Sequence, residues 1–137
     1  MPMPDRTRVL IAELASAIGL PPLPPRDDGG YQFTVDEDTD VLIYGGDNET
    51  ILLVAPIMAL PLQPDYGLML HLLGNNMFDS PVLPFHVAAD DGGGLILWSR
   101  LPIERLDRVS LASVVNGLAQ QVREMRTELL GEPVAAA

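Results

Sequence analysis

The stretch from Thr50 to Phe78, TILLVAPIMALPLQPDYGLMLHLLGNNMF, constrains the fold more than any other part of the chain. Ile51 to Ala55 is a short unbroken apolar run, the pattern of a strand covered on both faces. Pro56 and Pro61 are expected to end that strand, because proline brings no N–H to a ladder. Pro64 is placed as a first helical residue, with Asp65 beside it favouring a helix N-terminus. In the helix that follows, Tyr66, Leu68, Met69, Leu70, Leu72, Leu73 and Met77 point in more directions than one core-facing stripe absorbs. Part of that surface therefore needs a second partner.

The rest of the chain repeats the pattern on either side. From about Asp5 to Ile18, Val9, Leu10, Glu13, Leu14, Ala17 and Ile18 recur at helical spacing, and Gly19 is placed as a left-handed stop. Pro21, Pro22, Pro24 and Pro25 forbid continuation; they read as a stiff connector, with a ligand for a proline-binding module as the alternative. Tyr31 to Val35 alternates strictly, Asp36 to Asp40 turns the chain, and Val41 to Tyr44 predicts a second strand. A turn at Gly45 to Asn48 leads into the Ile51 strand, and connections this short force antiparallel pairing. Leu83, Phe85 and Val87 alternate in a fourth strand, Asp90 to Gly94 makes a hairpin loop, and Leu95 to Arg100 forms a fifth. Asp107 is placed to cap a last helix in which Leu111, Val114, Val115, Leu118, Val122, Met125 and Leu129 recur by threes and fours, with Gly131 and Pro133 closing it. The order α-β-β-β-α-β-β-α predicts an α+β fold: a twisted antiparallel sheet with helices packed on it, in one domain spanning 1–137 with an ordered core of about 5–130.

Composition excludes several classes of function. The net charge is −11 and all eight basic residues are arginine, so no electropositive track for nucleic acid or anionic lipid is expected. The 137 residues contain no cysteine, which removes disulfides and thiolate metal sites and suits a reducing cytosol. No apolar run approaches the length needed to span a bilayer and the N-terminus lacks a long apolar region, so a cytoplasmic protein without membrane insertion is expected. Asn48-Glu49-Thr50 spells a glycosylation acceptor that has no meaning without a secretory signal. Mean hydropathy is nevertheless +0.20, so apolar groups and strong negative charge coexist.

Candidate chemistry is thin. Asp36, Asp38 and Asp40 alternate like the start of a calcium loop, but Val41 stands where the loop needs glycine and Asp47 where it needs a bidentate glutamate, so a solvated turn is expected. Gly92 to Gly94 precede no helix, and the chain has no lysine to complete a phosphate cradle. His71 and His86 lack a ligand at metal spacing, and no serine sits in a nucleophile elbow. Asp107 and Glu104 as paired carboxylates are explained more simply by helix capping. No cofactor, metal or catalytic residue is predicted.

What remains is apolar surface. In three strands consecutive positions are apolar, so Val41 and Ile43 face one side while Leu42 and Tyr44 face the other. Leu52 and Val54 oppose Ile51 and Leu53, and Ile96 and Trp98 oppose Leu95 and Leu97. One face is covered by the chain's own helices; the other needs a partner segment or second subunit, unless three helices cover both. Leu10, Leu14, Ile18, Leu42, Tyr44, Leu52, Val54 and Trp98 are the candidate partner-binding residues. Tyr66, Leu68, Met69, Leu72, Leu73 and Met77 are the candidate dimer interface.

The order of elements, with Leu14 to Leu20 followed by prolines, the acidic turn after Phe33 and the Ala55-Pro56 step, resembles the class I type III secretion chaperones of the CesT/Tir-chaperone type. Leu60-Pro61 before a leucine-rich helix, Leu72-Leu73-Gly74-Asn75 near its end, and Leu101-Pro102 with Leu106-Asp107 before the last helix extend the likeness over about Asp5 to Leu130. The resemblance implies a cytoplasmic homodimer without enzymatic activity or cofactor, paired through the helix of Pro64 to Phe78 and its adjoining strand. It implies as partner the N-terminal segment of a secreted effector, held extended on apolar patches of the first helix and the sheet. Gly67 and Gly74 within the pairing helix, and the Gly92 to Gly94 loop, depart from the family pattern. A dimeric adaptor or sensory protein outside secretion, and a small hydrolase or ligand-binding domain, are the alternatives, the latter requiring a concave pocket with convergent polar groups.

Overall fold

Alternation along the strands and three-four spacing along the helices produce α1 (Asp5–Ala17), β1 (Tyr31–Val35), β2 (Thr39–Gly45), β3 (Thr50–Ala59), α2 (Tyr66–Gly74), β4 (His86–Ala89), β5 (Gly94–Pro102), a 3-10 turn at Ile103–Arg105 and α3 (Arg108–Leu130). This computed structural model describes residues 5–17, 26–35, 38–45, 50–80 and 84–130. Ile18, the Gly19 stop, the proline connector, Asp36, the turn at Gly46 to Asn48, Leu83 and the closing Gly131 and Pro133 lie outside the described residues.

The strands form one antiparallel sheet in the order β1-β2-β3-β5-β4. The hairpin between β4 and β5 closes on Asp90, whose N–H donates to the Gly94 carbonyl while Gly93 takes a positive φ of 81°. The core lies on one face. Phe33, Val41, Ile43, Ile51, Leu53 and Leu97 are buried there against Leu10 and Leu14 of α1 and the Leu111, Val115, Leu118 and Val122 stripe of α3. Complete burial of side chains of this size is worth about 2 kcal/mol each.

Two sequence expectations are corrected. Pro56 does not end β3, which runs on to Ala59. Pairing to β2 reaches only Leu42↔Val54, whereas pairing to β5 continues through Pro56↔Ile96 with a register shift before Met58. The missing proline N–H thus falls where one neighbour has ended, the position a sheet tolerates. Arg126 of α3 occupies the gap. Its Nε donates to the Ile57 carbonyl at 2.7 Å, Nη2 to the Pro56 carbonyl at 3.1 Å and Nη1 to the Asp38 carbonyl at 3.1 Å.

The second correction concerns α2. Pro64 precedes the helix instead of opening it, and Asp65 is the N-cap, accepting from the Leu68 N–H at 2.7 Å. The helix ends at Gly74, with Asn75 as C-cap, short of Phe78. At the other cap, Asp107 accepts from Ser110 N–H at 2.8 Å and from its hydroxyl, and returns its own N–H to Ser110 Oγ at 3.0 Å. Those bonds, the backbone one first, hold the Asp107 carboxyl below its ordinary pKa.

Candidate partner-binding surfaces

Register decides which side chains share the uncovered face of the sheet. Gln32 pairs with Leu42, Leu42 with Val54, Val54 with Trp98 and Trp98 with His86, so these five stand in one row across the whole sheet. A second row runs Tyr44, Leu52, Arg100. Leu42, Tyr44, Leu52, Val54, Ile96 and Trp98 are each part-exposed, while their neighbours on the opposite face are buried. The His86 and Trp98 rings lie 5.0 Å apart, tilted by 41°.

Tyr44 is less free than the others. Its hydroxyl donates to Asp28 Oδ2 at 3.0 Å, and its ring lies over Gly30, where a Cβ would fall 2.5 Å from Cε1. Asp28 also accepts from the Gly30 N–H at 3.0 Å, a bond that with the tyrosine holds its carboxyl below the ordinary pKa. Burial, and then the Asp28 bond, raise the Tyr44 phenol. The tyrosine therefore ties the approach to β1 onto the sheet.

Helix α2 carries two apolar stripes. Leu68 and Leu72 face inward, Leu72 with 3% exposure inside the core and Leu68 packed on it. Tyr66, Leu70 and Leu73 recur at i, i+4 and i+7 and face outward, with exposures of 79%, 52% and 61%, and Met77, three residues past the helix end, is 50% exposed. Phe78 at 85% and Leu62 at 102% extend this ridge at either end of the helix. An exposed apolar area of this extent marks an interaction surface.

The candidate dimer residues thus divide. Tyr66, Leu73 and Met77 lie on the ridge, Met69 is part-exposed, and Leu68 and Leu72 belong to the chain's own core. Leu70 joins the ridge at the i+4 position from Tyr66, a spacing readable in the sequence, whereas Leu62 and Phe78 lie beyond the helix ends, where helical spacing identifies nothing. Of the candidate partner-binding residues, Leu42, Tyr44, Leu52, Val54 and Trp98 come together on the open face. Leu10 at 6% and Leu14 at 0% exposure do not join them, because α1 turns that stripe onto the core. On α1 the exposed apolar residue is Val9, which with Leu10, Glu13, Leu106 and Asp107 lines a recess of about 210 Å³.

Several groups capable of chemistry among the described residues are engaged in structural bonds. His71 Nε2 contacts Glu128 Oε1 at 2.6 Å, joining α2 to α3. Asp40 accepts from the Thr34 hydroxyl, and Asp107 is engaged by Ser110. Among the described residues, no three His, Cys, Asp or Glu side chains are grouped to hold a metal. No helix among them is long and apolar enough to cross a membrane.

Among the described residues, the sheet leaves one apolar face part-exposed and α2 an exposed apolar ridge, surfaces of the kind that mark interaction sites. The family model of the Tir chaperone protein (CesT) family matches residues 9–126, and the chain belongs to that family. No curated protein matches the sequence significantly. Among solved structures, the Yersinia pestis type III secretion chaperone SycH in complex with a stable fragment of YscM2 matches at 24% identity over 84% of this chain and 95% of that one, with a TM-score of 0.68. The ExsC–ExsE complex matches at 21% identity over 92% and 95%, with a TM-score of 0.76. The heterodimeric ExoU–SpcU complex of the Pseudomonas aeruginosa type III secretion system matches at 24% over 85% and 94%, with a TM-score of 0.69. At these identities the likeness is one of fold.

Proposed function

We propose that the protein is a cytoplasmic type III secretion chaperone that holds the N-terminal segment of a secreted effector in extended form and keeps it ready for export. One observation carries this reading: in a chain of the Tir chaperone family, the row Leu42, Val54, Trp98 crosses an open sheet face. An extended segment adds main-chain hydrogen bonds at a sheet edge and sets alternate side chains on apolar surface, which prevents its folding without catalysis or a cofactor. The net charge of −11 favours a basic client segment and keeps copies from clumping at the rim.

The functional unit is a homodimer joined through the outer α2 ridge of Tyr66, Leu70, Leu73 and Met77, which explains why so apolar a helix faces away from its own core. Client contact falls to the open sheet face, and on α1 to Val9 in place of Leu10 and Leu14. Co-expression with the products of neighbouring genes tests the reading. A secreted protein should co-purify through its N-terminal segment, and charging Leu42, Val54 and Trp98 together should abolish capture by a still-folded chain. Capture unaffected by that triple change overturns the assignment of the surface.

A further inference from the structure

The β4 edge of the sheet is closed by a side chain. Asn76, two residues beyond α2, donates from Nδ2 to the Val87 carbonyl at 2.8 Å and accepts the Val87 N–H on Oδ1 at 2.6 Å. β4 is the terminal strand, and its register with β5 pairs Val87 with Leu97. A residue's N–H and C=O point to the same side of a strand, so both Val87 groups point away from β5, where an added strand would bond. The carboxamide reproduces the donor and acceptor of a peptide group and satisfies both. β4 is four residues long, so this one side chain occupies the middle of its free edge.

We propose that Asn76 is an edge plug: it closes the free edge of β4 to an extended client segment. The inference rests on the reading of this protein as a binder of extended segments, and it adds which edge is closed to them and which residue closes it. The same bonds anchor the C-terminal end of α2 to the sheet, so the plug also sets where the exposed ridge ends.

The test is amide hydrogen exchange on the full chain and on Asn76→Ala and Asn76→Asp. The aspartate keeps the size and the acceptor and loses the donor. Circular dichroism confirms that each variant is folded. The probe is a synthetic lysine-flanked peptide copying residues 94–101, the strand that β4 naturally pairs with. In the wild type, the peptide should leave β4 unchanged. In Asn76→Ala, the Val87 amide should exchange about tenfold faster, the size of one lost hydrogen bond, and the peptide should now protect β4. Asn76→Asp should fall between the two. Val87 exchange unchanged by Asn76→Ala, peptide protection of β4 in the wild type, or no protection of β4 in the alanine variant overturns the proposal. Failure of the client reading is seen separately, in co-purification, since exchange at Val87 needs no client.

Discussion

Arg126 donates its Nε–H to the carbonyl of Ile57 at 2.7 Å, joining the last helix to the point where β3 loses its β2 neighbour. The Pro56 carbonyl accepts from the same guanidinium. Successive carbonyls of a regular strand point in opposite directions, so the irregularity at Pro56 is what presents both to one fork. Charge-assisted bonds of this kind are worth about 1.5–3 kcal/mol each against leaving a carbonyl unpaired. Arg126→Ala should lower unfolding stability by about 2–3 kcal/mol in urea titration. Arg126→Lys should recover less than half of that, because an ammonium offers no planar fork. Equal stability of the two variants would show that the guanidinium geometry is irrelevant.

The two stripes of α2 separate folding from association. Leu72→Ala, inside the core, should cost about 2–5 kcal/mol in stability. Leu73→Glu, on the outward ridge, should change stability of the chain by less than about 0.5 kcal/mol and shift it from dimer to monomer in sedimentation equilibrium. Monomeric wild-type protein in the same experiment removes the ridge from the dimer.

Gly30→Ala places a methyl group 2.5 Å from the Tyr44 ring, which must swing away from Asp28. Overpacking of this kind costs about 1–3 kcal/mol. The phenol should then titrate closer to the ordinary tyrosine value, which absorbance at alkaline pH reads directly. The sign follows from the raised pKa of the folded state. Stability from this group is fully present below the unfolded pKa of about 10 and is lost as pH rises through the higher folded value. Asp28→Asn should also lower the phenol pKa, though only part of the way, since burial is its larger cause.

Asp107 works in the opposite direction. Its carboxyl is held below the ordinary value, so its stabilisation of α3 is complete above an unfolded pKa of about 3.9 and is lost as pH falls through the folded one. Asp107→Asn keeps a capping oxygen without the charge. The wild type should be the more stable of the two at pH 7, and the difference should vanish by about pH 2 in thermal unfolding. A difference that persists at pH 2 would mean that the charge plays no part.

The elements were legible because each depends on local rules: alternation in Tyr31 to Val35, three-four spacing in Leu111 to Met125, and capping at Asp107. The end of β3 was not. Pro56 breaks a strand by local rules, and only the absence of a β2 neighbour and the arrival of Arg126 from 70 residues away make it acceptable there. Leu10 and Leu14 illustrate the same limit, since periodicity identifies an apolar helix face without saying what the face meets.

By itself the sequence determined that this chain makes an antiparallel sheet with helices, that the sheet is apolar on two faces, and that α2 carries more apolar surface than one core absorbs. Those properties follow from residue order along single elements. The tertiary structure decided which face α1 and α3 cover, which stripe of α2 turns inward at Leu72, and that the Asn76 side chain closes the edge at Val87. Each of these is a choice between surfaces of similar composition, and it is made by register and by contacts between residues far apart in the chain.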